Sequence, residues 1–91
     1  MNDIIPIEIS RKKIDEIDSE IVRLFNERMK ISGDVARYKK ANGLPVYSPE
    51  REKELLEKIR ALSENDFSGY TEKLYSEILT VSKDYQKKIC G

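Results

Sequence analysis

The stretch from Pro6 to Ala41, PIEISRKKIDEIDSEIVRLFNERMKISGDVARYKKA, decides the fold. Its apolar residues recur at alternating spacings of three and four, the pattern of one buried stripe along an α-helix. This stripe consists of Ile14, Ile17, Ile21, Leu24, Ile31, Val35 and Tyr38. Proline is tolerated in a first helical turn, and Asn42-Gly43 is a typical helix end. The pattern therefore predicts one uninterrupted N-terminal helix.

The length of this helix bears on the assembly. About 36 residues at 1.5 Å each span about 54 Å. A compact chain of this size has a radius of gyration of about 13 Å, and hence a diameter of roughly 33 Å. The helix is too long for a globular monomer, and its outer half would expose an apolar stripe to water. We therefore predict an intertwined helical homodimer, in which a second copy covers the stripe.

Two further helices are predicted after the first. Ser48-Pro49-Glu50 is a typical helix start, with a hydroxyl N-cap, a proline at the first position and an acid near the positive helix end. The third helix is expected after the turn residues Asp66 to Gly69. We see no internal repeat and no linker in the sequence. The expected class is all-α, with three helices per chain and a single domain over residues 1–91.

Composition excludes several functions. Seventeen Lys and Arg balance seventeen Asp and Glu, and the chain has no His and one Cys. Zero net charge disfavours a nucleic-acid partner and a polybasic membrane anchor, since both need excess cations. Without His, neither a zinc site nor a His-dependent catalytic triad is expected. The sequence therefore predicts no metal, no nucleic acid and no membrane partner.

The compartment is predicted from the same counts. A single Cys cannot form an intrachain disulfide, and the first nine residues lack the pattern of a signal peptide. No apolar run approaches the roughly 20 residues of a membrane-spanning helix. We therefore expect a cytoplasmic protein. Cys90, next to the last residue, is expected to be frayed and is given no role.

Charged residues interrupt the stripe of the first helix. Continuing the spacing places Arg28 where packing alone would favour Leu, and Lys39, eleven residues later, shares its face at about 16 Å. Arg11 lies about 25 Å before Arg28, so it could serve a site there only from a partner subunit. Simpler explanations exist for each: a snorkelling or register-setting Arg28, a solvated Lys39 and an exposed Arg11.

The other two helices add polar residues to their apolar faces. Glu52 shares the stripe of the second helix and needs a cation or a hydroxyl as partner, unless it only complements the helix end. Arg51 beside it could simply pair with Glu54 or Glu50. Ser82 and Gln86, spaced by four, share a face of the third helix or form its polar flank. If all these groups faced the interior, a ligand with more than one carboxylate would satisfy the cations.

These motifs resemble one family, the all-helical class of chorismate mutases. The resemblance covers roughly Ile9 to Lys88, and its order and spacing are more specific than any one motif. The motifs are RKKIDEID at 11–18, LFNER at 24–28, VARYK at 35–39, Pro45-Val46, Arg51-Glu52 and SKDYQ at 82–86. The resemblance implies an intertwined dimer of three-helix subunits that converts chorismate to prephenate, an isomerase reaction in aromatic amino-acid biosynthesis.

The resemblance also implies a role for each candidate residue. Arg28 and Arg51 would bind the two carboxylates of the substrate, with help from Ser82 and from Arg11 of the partner subunit. Glu52 would accept a hydrogen bond from the ring hydroxyl. Lys39 and Gln86 would donate to the ether oxygen of the breaking bond. The family often has Asp where this chain has Ser48, so Ser48 is only a weak candidate for binding and is also explained as an N-cap.

The implied reaction is unimolecular and needs no nucleophile and no cofactor, so the missing His is no obstacle. Three alternatives remain open from the sequence: an isochorismate-pyruvate lyase on the same fold, a non-catalytic helical interaction module, and an accessory role beside a larger enzyme. With no further domain after Gly91 in the sequence, feedback inhibition by aromatic amino acids is not expected within this chain.

Overall fold

The computed structural model describes residues 4–91, and three α-helices make up most of this range. Helix α1 is Ile7–Ala41, α2 is Pro49–Leu62 and α3 is Ser68–Cys90, with a short 3-10 helix at Asn65–Phe67. No strand occurs among residues 4–91. The predicted all-α class, with three helices and a very long first one, is confirmed.

Helix α1 ends at Ala41, directly before the predicted stop Asn42-Gly43. Gly43 has a φ of 64°, in the left-handed region that a residue without Cβ adopts readily. The backbone N–H of Leu44 donates to the Lys39 carbonyl at 2.8 Å, which satisfies one of the last free carbonyls of the helix. The chain then turns away and reaches α2 after a short loop.

Helix α2 begins at Pro49, as predicted, with Ser48 at the N-cap position in extended conformation. The backbone N–H of Glu52 donates to the Ser48 carbonyl at 3.0 Å. The Ser48 hydroxyl, however, makes no capping hydrogen bond, so the predicted hydroxyl cap is wrong. Pro49 fixes its own φ and has no N–H, which starts the helix without help from the side chain.

Helix α3 differs from the prediction at both ends. It begins at Ser68, so Ser68 and Gly69 belong to its first turn rather than to the preceding loop. The hydroxyl of Thr71 donates to the Phe67 carbonyl at 2.9 Å and supports this early start. At the other end, Cys90 is the last residue of α3, and its thiol donates to the Ala36 carbonyl at 3.4 Å. The prediction of a frayed Cys90 is therefore wrong, because this contact holds the last turn.

The contacts divide the chain into two units, Met1–Lys30 and Ile31–Gly91, which we call unit 1 and unit 2. The described part of unit 1, residues 4–30, contains no buried residue. Its helical large aliphatic side chains are between 49% and 58% exposed. They are Ile7, Ile9, Ile14, Ile17, Ile21, Val22 and Leu24. The apolar stripe of unit 1 is thus exposed.

Unit 2 is held together by close helix packing and a small core. Ser32, Gly33 and Ala36 are buried on the last turns of α1. A Cβ added to Gly33 would lie 3.3 Å from the Tyr85 ring, so the absence of a side chain at Gly33 permits this close approach. Among residues 4–91, Ala36 and Ile59 are the only buried apolar residues. Such a core is thin for a chain of this length.

A bidentate ion pair joins α2 to α3 at the surface of unit 2. The Arg60 guanidinium contacts the two carboxylate oxygens of Glu72 at 2.7 Å and 3.3 Å. The hydrogen bonds that Arg60 donates to the Glu72 carboxylate raise the pKa of Arg60 above its ordinary value. None of the helices within residues 4–91 combines the length and the apolarity that a membrane crossing requires.

Candidate active site

Lys39 lies at the end of α1, where the chain leaves the helix. Its ammonium donates to the Val46 carbonyl at 2.8 Å, and the side chain is half-buried. It lines a cleft of about 400 Å³. The other lining residues are Leu44, Pro45, Tyr47, Ser48, Pro49 and Glu50. Two predicted site residues, Lys39 and Ser48, therefore border the same cleft.

Glu52 faces α3 and pairs there with a cation, the ammonium of Lys83. Its carboxylate lies 3.0 Å from the Lys83 ammonium, with the Lys83 and Glu52 side chains 27% and 23% exposed, respectively. The same ammonium lies 4.8 Å from the centre of the Tyr47 ring, within the range of a cation–π contact. Lys83 was not predicted. Its signal in the sequence is its place between Ser82 and Gln86, on a helix already assigned to the site.

Ser82 and Gln86 are both buried on α3, and both contact Ser32 of α1. The Ser32 and Ser82 hydroxyls share a hydrogen bond, and the Gln86 amide nitrogen donates to Ser32 Oγ at 2.9 Å. Ser32 was not predicted either. It follows Arg28 by four residues and precedes Lys39 by seven, so helical spacing puts it on the same face of α1 as these two candidates.

The Gln86 side chain is incompletely satisfied. Its amide oxygen is buried and has no hydrogen-bond partner among the described residues. An amide can make four hydrogen bonds, and a buried polar atom without one costs about 1–3 kcal/mol. A ligand group that forms a hydrogen bond with the amide would remove this cost. Among the described residues, Gln86 is therefore the one whose side chain has a buried polar atom without a hydrogen-bond partner.

Arg51 does not face the interior of unit 2. Its side chain is 62% exposed and lies 3.3 Å from the Glu54 carboxylate, one turn further along α2. The expected interior position is wrong for the described chain, and the simpler explanation, an ion pair with Glu54, is confirmed. Its position at the start of α2 lets the long side chain reach water. Whether Arg51 binds a carboxylate stays a prediction.

The remaining two candidates belong to unit 1. Arg28 is half-buried and Arg11 is exposed. The proposed contribution of each to substrate binding stays a prediction.

Unit 2 carries two ammonium groups, one carboxylate, two hydroxyls and one amide at three places. These are Lys39 at the cleft, Glu52 with Lys83 between α2 and α3, and Ser32 with Ser82 and Gln86 between α1 and α3. Within residues 4–91 no three His, Cys, Asp or Glu side chains are grouped to hold a metal ion. Such a set can orient a polar molecule and stabilise negative charge that develops on it.

Comparison with known proteins gives several relatives whose names include chorismate mutase. A chorismate mutase from the archaeon Methanocaldococcus jannaschii is 50% identical over 52 residues, which is 57% of this chain and 52% of that protein. A bifunctional chorismate mutase/prephenate dehydratase from Aquifex aeolicus is 39% identical over 84 residues, 87% of this chain and 23% of that protein. The chain thus spans about half and about a quarter of the lengths of these relatives.

A solved structure agrees with the fold. Chorismate mutase form II from Thermus thermophilus superposes with a TM-score of 0.85 at 34% sequence identity, covering 89% of this chain and 93% of the other. The family model of chorismate mutase type II matches residues 10–87, a range that includes every candidate site residue from Arg11 to Gln86. The chain therefore belongs to the chorismate mutase type II family.

Proposed function

We propose that the protein is a chorismate mutase, an isomerase that rearranges chorismate to prephenate in aromatic amino-acid biosynthesis. The observation that carries this proposal is the buried amide of Gln86, whose polar demand is unmet, in a segment that the family match covers. A buried amide that its protein partners do not fully satisfy suits a polar ligand that completes its hydrogen bonds. The proposal requires no cofactor and no metal.

The rearrangement depends on position and charge. It is unimolecular, so the protein contributes by holding the substrate in its folded-over conformer. Negative charge develops on the ether oxygen as its bond breaks, and fixed donors there favour the transition state over the ground state. We assign this task to the ammonium of Lys39 and the amide of Gln86. The bond to Val46 uses one of the three Lys39 N–H groups and leaves two for the substrate.

Glu52 is assigned to the ring hydroxyl of the substrate. Its carboxylate offers about four acceptor sites, and the ion pair with Lys83 uses one of its two oxygens. The pair holds the carboxylate in one orientation in a half-buried position. The hydroxyl can then donate to Glu52 while Lys83 stays in place.

The two carboxylates of the substrate are assigned to Arg28 and Arg51, with Ser82 in support. Arg51 pairs with Glu54 in the described chain, but an exposed ion pair of this kind contributes only about 0–1 kcal/mol. Exchanging Glu54 for a substrate carboxylate is therefore inexpensive. Ser48 borders the cleft beside Lys39 and remains a weak candidate for binding.

We further propose that the protein is a cytoplasmic homodimer, with Arg11 of the partner subunit completing each site. The exposed apolar stripe of unit 1 and the thin core support the homodimer, since a second helix would cover the half-exposed aliphatic side chains. The single Cys suits a reducing compartment. Neutral net charge favours neither a nucleic acid nor a membrane surface as partner.

The dimer is tested by placing charge on the stripe. Ile17→Asp with Leu24→Asp is expected to give the mass of a single chain in sedimentation equilibrium, where the wild type gives twice that mass. Chorismate turnover is expected to be lost too, because Arg11 no longer reaches a partner. Asn26→Asp adds the same carboxylate at an exposed position outside the stripe and serves as control. A stripe variant that stays dimeric and active would contradict the proposal.

Adding purified protein to chorismate without cofactor tests the activity. We expect loss of chorismate absorbance and formation of prephenate. The same protein given isochorismate tests the lyase alternative, since pyruvate release without chorismate turnover would replace the proposed function. Turnover of neither substrate would favour a non-catalytic helical module.

A further inference from the structure

The hydrogen bond between Ser32 and Gln86 determines which end of the Gln86 amide is left without a partner. The Gln86 amide nitrogen donates to Ser32 Oγ at 2.9 Å, while the amide oxygen is buried without a partner among the described residues. In this orientation the group left over is an acceptor. The ether oxygen of the substrate is an acceptor too, so the two oxygens would repel each other. The proposed reaction therefore needs the opposite orientation of the amide.

We propose that Ser32 is a positioning residue that sets the orientation of the Gln86 amide during catalysis. This inference rests on the proposed function. When substrate is bound, the Ser32 hydroxyl donates to the Gln86 amide oxygen, and the amide nitrogen is left to donate to the ether oxygen. A half-turn of the terminal amide exchanges the two arrangements without moving the rest of the side chain.

Serine suits this task because a hydroxyl both donates and accepts. In the described structure Ser32 accepts from the amide nitrogen, and in the reactive arrangement it donates to the amide oxygen. Ser32 and Gln86 are only 6% and 8% exposed, so bulk water does not replace either partner. The Ser32 and Ser82 hydroxyls share a hydrogen bond in the described structure, and either oxygen can be its donor. In the reactive arrangement the single Ser32 proton goes to Gln86, which leaves the Ser82 proton for a substrate carboxylate.

Ser32→Ala is expected to lower kcat roughly 5- to 10-fold, the equivalent of one hydrogen bond, with KM changed less than about twofold. The loss falls on kcat because the oriented donor acts where charge develops in the transition state. Ser76→Ala is the matched control: Ser76 lies on the exposed side of α3, bonds within its own helix to the Glu72 carbonyl, and should leave both constants unchanged. Ser32→Thr keeps the hydroxyl and is expected to retain most of the activity.

A pH profile separates positioning from packing. In Gln86→Glu only the protonated carboxyl can donate to the ether oxygen, so kcat falls as pH rises through the pKa of the introduced group. A hydroxyl that donates to this group stabilises its ionised form and lowers that pKa. Combining Gln86→Glu with Ser32→Ala removes the donor, and the fall in kcat should therefore move to higher pH by about one unit.

The outcomes distinguish this inference from the proposed function. If the wild type does not convert chorismate, the proposed function fails and the inference with it. If the wild type is active, an unchanged kcat in Ser32→Ala, or an unmoved or lowered midpoint in the double variant, overturns the inference alone. Melting temperatures identify any loss of folding. Should Ser32→Ala be unstable, Ser32→Cys provides a weaker donor. In the Gln86→Glu background it is expected to move the pH midpoint of kcat in the same direction by a smaller amount.

Discussion

Lys39→Ala is expected to lower kcat for chorismate rearrangement by about 100- to 1,000-fold, the usual effect of removing one preoriented donor from a site of developing negative charge. The half-buried ammonium is held by the Val46 carbonyl and borders the cleft at the end of α1. Because it is oriented before substrate arrives, little reorganisation is needed in the transition state. Single-turnover measurement of prephenate formation would separate this chemical step from product release.

Two further variants identify what is lost. Lys39→Met keeps most of the length and the apolar stem of lysine but removes the charge, so it should be nearly as slow as Lys39→Ala. Lys40→Ala removes the neighbouring ammonium, which is exposed at the surface of α1, and should change kcat less than about twofold. A fast Lys39→Met would mean that the residue acts by packing, and would contradict its assignment as a donor.

Arg28→Ala is expected to lower kcat/KM for chorismate by roughly 30- to 4,000-fold while the dimer stays folded. This range corresponds to the cost of about 2–5 kcal/mol for truncating one partner of a desolvated charge pair. Arg28 is half-buried on α1, at a position where packing alone would favour Leu. A guanidinium there can hold a carboxylate through two parallel hydrogen bonds.

The matched control for this arginine is Arg23→Ala. Arg23 lies in the same helix, and its guanidinium pairs with Glu20 at 2.8 Å on an exposed face. Removing it should change kcat/KM and stability little, since exposed pairs of this kind contribute about 0.3–0.5 kcal/mol. If Arg28→Ala altered association of the subunits and there were no turnover to lose, the non-catalytic alternative would be favoured.

The fold could be predicted from the sequence because the residues that end and begin its helices are distinctive. Asn42-Gly43 and Pro49 mark helix boundaries that backbone chemistry determines locally. Errors arose where tertiary contacts decide the outcome. Cys90 was expected to fray because it is near the end of the chain, but its thiol contacts the Ala36 carbonyl of another helix. The Ser48 cap failed because sequence identifies a capping position without showing where the hydroxyl points.

The candidate site was predicted less completely, for a related reason. Lys39, Ser82 and Gln86 were predicted because they interrupt or flank apolar stripes, and such interruptions are visible in one helix at a time. Lys83 and Ser32 act across helices, and their partners are known only once α1, α2 and α3 are packed. Arg51 shows the opposite error, since grouping it with the other charged residues suggested an interior position that the exposed pair with Glu54 does not support.

The hydrogen bond from Lys39 to Val46 links two properties that are usually considered separately. The loop that follows α1 is tied to Lys39 by this hydrogen bond. Local opening of the loop and loss of the fixed position of the ammonium therefore occur in one equilibrium. When the loop opens, the Lys39 ammonium loses its fixed position. The loop must then close again before the substrate can react. A ligand that binds the held ammonium favours the closed form and slows hydrogen exchange at the loop amides. Hydrogen exchange at the backbone amides between residues 44 and 48 thus reports ligand binding without a measurement of catalytic turnover.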